Sequence, residues 1–397
     1  MHLPKINSSN RNVALYYLHI FLNSLWFFEG VWYFFMGKFA SYETIGIVLS
    51  ASTLVWILAE IPSGVFADRF GRKQSIIVGN ILVVLGSIFY VTAHVYWFIA
   101  VGLLISAVGR AFISGSFEAL IYDDLLAQNA ESKYDKIVAR GLQLTIIAFA
   151  MGPAIGGLLY KYNIYFPYIL HCLAMLTALI TSAWLIEPKM KTLLSNSADN
   201  PNIAGFKQLI HSGFRPFLLP TIVGGALFGL YDWGLSKPAI ANHIGLNATS
   251  FSIMISVVAV VAFFSAGLFP KLRKRFSDIS LLTAAAAIIA SGFILGGLET
   301  RLLGFLALFI VDIGFTIFSP VTSVLVNKHV TSEYRATSIS TLQFLFKIPF
   351  LILNILAGYA IAFGSINQFH LTLGLVSVFG LFVFALKKQV FSPSTNS

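Results

Sequence analysis

Eight ionisable side chains sit inside long apolar runs of this chain: Glu29, Glu60, Arg110, Glu118, Asp232, Lys237, Asp312 and Lys347. Each would cost roughly 2.5–3.5 kcal/mol at a lipid-facing helix centre, so each should face partners or water. The chemistry open to them is exchange of protons and cations. A carboxylate shielded from bulk water trades protons near neutral pH. One that holds either a proton or a cationic compound, never both, couples their movements by competition. Glu29, Asp232 and Asp312 lie near the middle of their runs and suit that role best; Glu118 suits it less. The competing reading is a static pair, Asp232 with Lys237 or Asp312 with Lys347. Glu60, one turn before Gly64, reads as structural, and His171 and His243 as merely hydrogen-bonded. Trp26, Phe27, Phe28, Trp32 and Tyr33 surround Glu29, and Tyr231 and Trp233 flank Asp232. An aromatic wall beside a carboxylate suits lipophilic cations, although most of these rings must face lipid or other helices.

The elements carrying these residues follow from composition. Hydrophobic residues make up 57% of the chain and charged residues 11%, with a mean hydropathy of +0.82. A soluble domain carries roughly 25% charged residues, so most of this surface cannot face water. Runs long enough to span a bilayer fall at about 12–36, 42–66, 74–93, 95–122, 137–160, 164–186, 214–240, 248–269, 279–298, 302–327, 336–362 and 368–386. The first is too long for the core of a signal peptide and should remain as a helix. A single cysteine, Cys172, excludes an internal disulfide. The chain has no Cys/His cluster of metal spacing, no G-x-S-x-G elbow and no phosphate loop, so neither enzyme chemistry nor a cofactor is expected.

Sidedness follows from Lys and Arg. Of the 26, twenty lie on the side of the termini, three (Lys38, Lys161, Arg301) on the other, and three (Arg110, Lys237, Lys347) inside spans. This bias places both termini in the cytoplasm and reads the net charge of +10 as membrane orientation, not as a nucleic-acid surface. The polar stretch Glu187 to Gly213 then reads as a cytoplasmic linker over 188–213. It separates a six-helix bundle over 1–187 from another over 214–397. The halves look duplicated: Gly64 and Gly267 are 203 residues apart, as are Glu29 and Asp232. Gly267-Leu268-Phe269-Pro270-Lys271-Leu272-Arg273-Lys274-Arg275 looks like a decayed copy of the segment after Gly64, with Lys271 where Asp68 would fall. Repeated halves around a midplane site are the architecture of secondary transporters.

That first segment is the most specific motif. Gly64-Val65-Phe66-Ala67-Asp68-Arg69-Phe70-Gly71-Arg72-Lys73 lies between two spans, with two glycines to allow a tight turn. It resembles the G-x-x-x-D-R-x-G-R-K signature between helices 2 and 3 of the major facilitator superfamily. Met151-Gly152-Pro153-Ala154-Ile155-Gly156-Gly157, in the fifth span, resembles the G-P-x-x-G-G signature of that superfamily's antiporters, with Ala148 where an earlier Gly is usual. Its glycines would let a neighbouring backbone approach closely. In the fourth span Arg110 stands five residues before Gly115, where the family often spaces the pair by four. Asp123 and Arg140, at the ends of spans 4 and 5, are similar to the family's pattern. With Asp68 and Arg72 they would form an ionic latch on the cytoplasmic face, which opens as the halves rock; ordinary solvated helix ends are the plainer reading. The resemblance also implies that spans 1, 4, 7 and 10, which carry Glu29, Arg110, Glu118, Asp232, Lys237 and Asp312, line a central cavity.

The resemblance implies an all-α membrane protein of twelve transmembrane helices in two six-helix pseudo-repeats. It implies a monomeric secondary transporter, proton-coupled, that expels lipophilic or cationic compounds. The alternative is a proton-coupled importer of a sugar or organic acid, with Arg110, Lys237 and Lys347 serving an anionic group; a non-transporting receptor is a more distant one. Short external links point to a bacterial inner membrane, although the Asn247-Ala248-Thr249 sequon leaves a eukaryotic origin open.

Overall fold

The computed structural model describes residues 8–188, 209, 213–330 and 335–388; the expected linker falls almost wholly outside them. The first half holds α1 (Ser8–Asn23), α2 (Trp32–Met36), α3 (Tyr42–Phe70), α4 (Arg72–Val91), α5 (Tyr96–Ile113), α6 (Ser116–Leu126), α7 (Tyr134–Tyr160) and α8 (Phe166–Ser182). The second holds α9 (Leu218–Asp232), α10 (Ser236–His243), α11 (Ala248–Ala266), α12 (Phe269–Arg273), α13 (Asp278–Gly297), α14 (Arg301–His329), α15 (Arg335–Ala362) and α16 (Ile366–Lys388). Among the described residues there is no strand. Nine helical stretches there are long and apolar enough to cross a bilayer, with α5 and α6 counted as one, and α9 with α10 add a tenth. The other two expected crossings fall on the shorter apolar α8 and on the broken first span, neither of which is a helix of that length.

Three expected spans are not continuous. The run over 12–36 breaks after Asn23, passes through turns, and resumes as helix only at Trp32. The run over 214–240 breaks after Asp232, where α9 and α10 meet with a bend of 56°. The fourth span is interrupted at Gly115, whose φ of +71° lies in the left-handed region open to glycine. The turn expected between Gly64 and Gly71 also differs. Gly64 lies inside α3, and the corner is Gly71 alone, at φ +100°. Nothing in the segment before Gly71 stops a helix, so Asp68 and Arg69 ride on its last turn.

The chain divides into two compact units. One comprises Met1–Ala40, Ala51–Leu194 and Ala248–Ser256; the other comprises Ser41–Ser50, Ser195–Asn247 and Val257–Ser397. In the first, α4 packs on α5 and α8, and α1 on α7 and α8. Its core has one cluster around Tyr16, Ile76, Phe117 and Leu120 and another around Leu25, Phe27, Val83 and Met175. In the second, α13 packs on α14 and α16, and α9 packs on α13 and α15. Many side chains facing away from these cores are large and apolar, such as Leu58, Trp97 and Phe379, as lipid contact requires.

Candidate functional site

In the second unit the break between α9 and α10 assembles a charged cluster. Asp232 is the last residue of α9, and Lys237 lies in the first turn of α10. The bend carries the lysine back, so that its ammonium lies 3.1 Å from Asp232 Oδ1 and 3.4 Å from Asp312 Oδ2 of α14. Its side chain is 4% exposed, against 21% for Asp232 and 15% for Asp312, so the carboxylates are the open side of the cluster. The Lys237 ammonium also stands 5.0 Å from the centre of the Tyr231 ring, a cation–π distance. The Tyr231 hydroxyl lies 2.7 Å from the Leu308 carbonyl and 3.1 Å from Asp312 Oδ2. The break is held by Asn354 of α15, fully buried, whose Oδ1 accepts from the Leu235 amide at 3.1 Å. One place further on, the Ser236 hydroxyl contacts His370 Nε2 at 3.0 Å. The expected pair of Asp232 with Lys237 forms, and Lys237 takes Asp312 as well, because the bend brings it between them. Lys347 is buried on α15.

The first unit has a break at the equivalent place. Glu29 lies in the turns between α1 and α2 and is 8% exposed. The broken segment rests on α7. A Cβ at Gly152 would stand 2.9 Å from the Trp26 amide nitrogen, and one at Gly156 would overlap the Phe27 carbonyl. A Cβ at Gly157 would meet Ser252, and Thr249 donates to the Gly157 carbonyl at 2.8 Å. The glycines beside Pro153 therefore make room for non-helical backbone. Rings close over the segment: Phe28 stacks on Tyr168 at 5.7 Å and meets His171 edge-on at 4.7 Å, and Phe35 lies 4.4 Å from Tyr168. Arg110, in the last turn of α5, makes no ion pair among the described residues. Glu118, at the start of α6, lies within electrostatic reach of Tyr16 and Tyr134.

The signature segment forms a corner held from a distance. Arg72 pairs across the corner with Asp68, four residues back, at 2.9 Å, and the Arg69 guanidinium stands 5.4 Å from the Phe70 ring. The Arg72 and Lys73 amides, the first of α4, donate to Glu187 Oε1 and Oε2 at 2.8 and 2.7 Å. A carboxylate on the free amides of a helix start is favoured by both hydrogen bonding and the helix dipole. A Cβ at Gly71 would stand 2.9 Å from that carboxyl group, the movable end of a side chain, so it is the φ of +100° that requires glycine here. Asp123 lies within electrostatic reach of Arg72 and Glu187. Arg140, expected in the latch, is exposed and makes no ion pair among the described residues.

Sequence reading missed three of these contributors. Glu187 stood 115 residues from Arg72 and counted only as the start of the linker; its one signal was an acid after the last apolar residue of a span. Asn354 looked like one polar residue in an apolar run. Asn12, fully buried, donates to Asp124 at 3.0 Å and exchanges hydrogen bonds with the Ile186 backbone, which steadies the approach to Glu187.

Comparison with known proteins agrees with this architecture. The family model of the Major Facilitator Superfamily matches residues 14–353. Multidrug resistance protein 2 of Bacillus subtilis is 25% identical over 277 residues, 68% of this chain and 67% of the relative. Quinolone resistance protein NorA of Staphylococcus aureus is 24% identical, over 70% of each. YxaM, an uncharacterised MFS-type transporter of Bacillus subtilis, is 29% identical but is matched over only 38% of its length. Among solved structures, a point variant of the nucleoside transporter NupG superposes with a TM-score of 0.78 at 15% identity, over 97% of this chain and 100% of that one. The two broken spans, the corner at Gly71 and these matches lead to one conclusion: the chain is a multi-pass membrane transporter, not an enzyme, and belongs to the major facilitator superfamily.

Proposed function

We propose that this transporter expels lipophilic or cationic compounds in exchange for protons, by alternating access, as a monomer in a bacterial inner membrane with both termini in the cytoplasm. The observation that carries the reading is the cluster of Asp232, Lys237, Asp312 and Tyr231 at the break of the seventh span. Two carboxylates on one ammonium leave the cluster one negative charge over. Uncompensated charge in a shielded site is costly, so the cluster has a place for one positive charge. A proton and a cationic compound compete for it. Asp312 is the acid that takes the proton. The Tyr231 hydroxyl has one hydrogen, and the shorter of its two contacts is to the Leu308 carbonyl. That one hydrogen is shared between two acceptors, so Asp312 receives only part of a hydrogen bond from Tyr231. The names of the resistance-protein relatives support efflux as the direction.

The test is proton and dye flux in proteoliposomes holding the purified protein and a fluorescent lipophilic cation. An imposed pH gradient should drive dye against proton flow, with proton movement appearing only when dye is present. Asp312→Asn should stop driven transport and leave dye binding measurable. Transport with no proton movement would overturn proton coupling. Dye and protons moving together would favour the importer.

A further inference from the structure

We propose that the second copy of the signature corner, Gly267–Ser277, is a binding site for the headgroup of an anionic phospholipid. The two copies share a frame but not a charge balance. In the first, Asp68 neutralises Arg72 and Glu187 caps the next helix. At the offset of 203, Lys271 stands in place of Asp68 and Arg275 in place of Arg72, and 267–277 contains no acid. The next helix, α13, is capped locally: the Ser277 hydroxyl accepts from the Ser280 amide at 3.2 Å. No distant carboxylate is needed at this corner.

The nearby Asp278 is already used, by Arg273 at 3.1 Å and Lys328 at 3.5 Å. Lys271, Lys274 and Arg275 are exposed and make no ion pair among the described residues. Beside them stand apolar side chains facing outward: Phe264 at 73% exposure, Phe276 at 53% and Leu268 at 49%. Unspent bases at a span end attract anionic headgroups, and exposed rings and a leucine next to them suit acyl chains. A soluble anion would use the first feature and not the second, so the occupant is a lipid.

The test uses the full-length protein in bilayers of phosphatidylcholine containing one-fifth phosphatidylglycerol or cardiolipin, with bound lipid counted by native mass spectrometry. A base near an anionic surface contributes about fivefold to retention. The triple variant Lys271→Gln, Lys274→Gln, Arg275→Gln should therefore lose anionic-lipid retention by at least about tenfold. A control triple of equal charge change, Lys133→Gln, Lys136→Gln, Arg140→Gln, should lose less than about twofold. Retention by the unaltered protein should also fall steeply as salt rises. Equal loss in both triples would reduce the effect to general cytoplasmic charge and overturn the site. So would unchanged retention in the first triple, or displacement of the lipid by equimolar glycerol phosphate.

Discussion

At the scale of residues, Lys237 is the centre of the second unit's chemistry. Two acids that were separate candidates in the sequence meet on one ammonium, and the aromatic face of Tyr231 lies behind it. Removing one partner of a shielded ion pair typically costs about 3–5 kcal/mol, because the remaining charge has nothing opposite it. Water on the carboxylate side, where Asp232 is 21% and Asp312 15% exposed, puts the loss at the lower end. Lys237→Met should therefore lower thermal stability in detergent by about 3 kcal/mol. Adding Asp312→Asn should restore most of it, since one carboxylate near water needs no partner. If Lys237→Met alone melts like the unaltered protein, the lysine is not what balances the acids, and the charge count behind the proton site fails with it.

At the scale of elements, the recurring device is a helix that stops part-way along an apolar span. Free amides and carbonyls at such a break must find partners inside the protein. Here Asn354 serves one break, while the α7 glycines let the other pack tightly. The two glycine motifs accordingly differ in what they tolerate. Gly156→Ala would drive a methyl into the Phe27 carbonyl and should cost at least about 3 kcal/mol, the upper range for overpacking. Gly64→Ala meets no atom within 4 Å inside α3 and should raise stability by roughly 0.5–1 kcal/mol, as alanine does in a helix interior. Thermal melts of the two variants side by side decide the point; equal cost would mean that Gly64 has a packing role outside α3. The sequence made the acids, the repeat offset and the small-residue face of α7 legible, because each is a matter of residue type at a fixed spacing. The break itself was not legible, since Leu25, Trp26, Phe27 and Phe28 are as apolar as any spanning helix and hydropathy has no term for backbone direction. Glu187 stayed hidden for a related reason: it completes a corner whose other half lies 115 residues earlier.

At the scale of the whole molecule, charge has been distributed for two different tasks. Inside the spans it is scarce, and around Lys237 it is paired at a break, where it supports the exchange proposed above. Outside them it is plentiful and one-sided, with twenty of 26 bases on the side of both termini. A bias of that size fixes orientation during insertion, because translocating each extra base opposes it. In the proposed orientation, the corner at Gly71, the basic copy at Gly267–Ser277 and the chain between the halves would each face the cytoplasm. Ser195 lies in that chain, outside the described residues, and so tests the orientation independently of any helix contact. A Ser195→Cys variant made in a Cys172→Ser background should react with a membrane-impermeant maleimide in inside-out vesicles and resist it in intact cells. Reaction in intact cells with none in inside-out vesicles would invert the molecule. The charge bias would then have failed as a guide, and the direction assigned to proton and compound in the exchange would reverse with it.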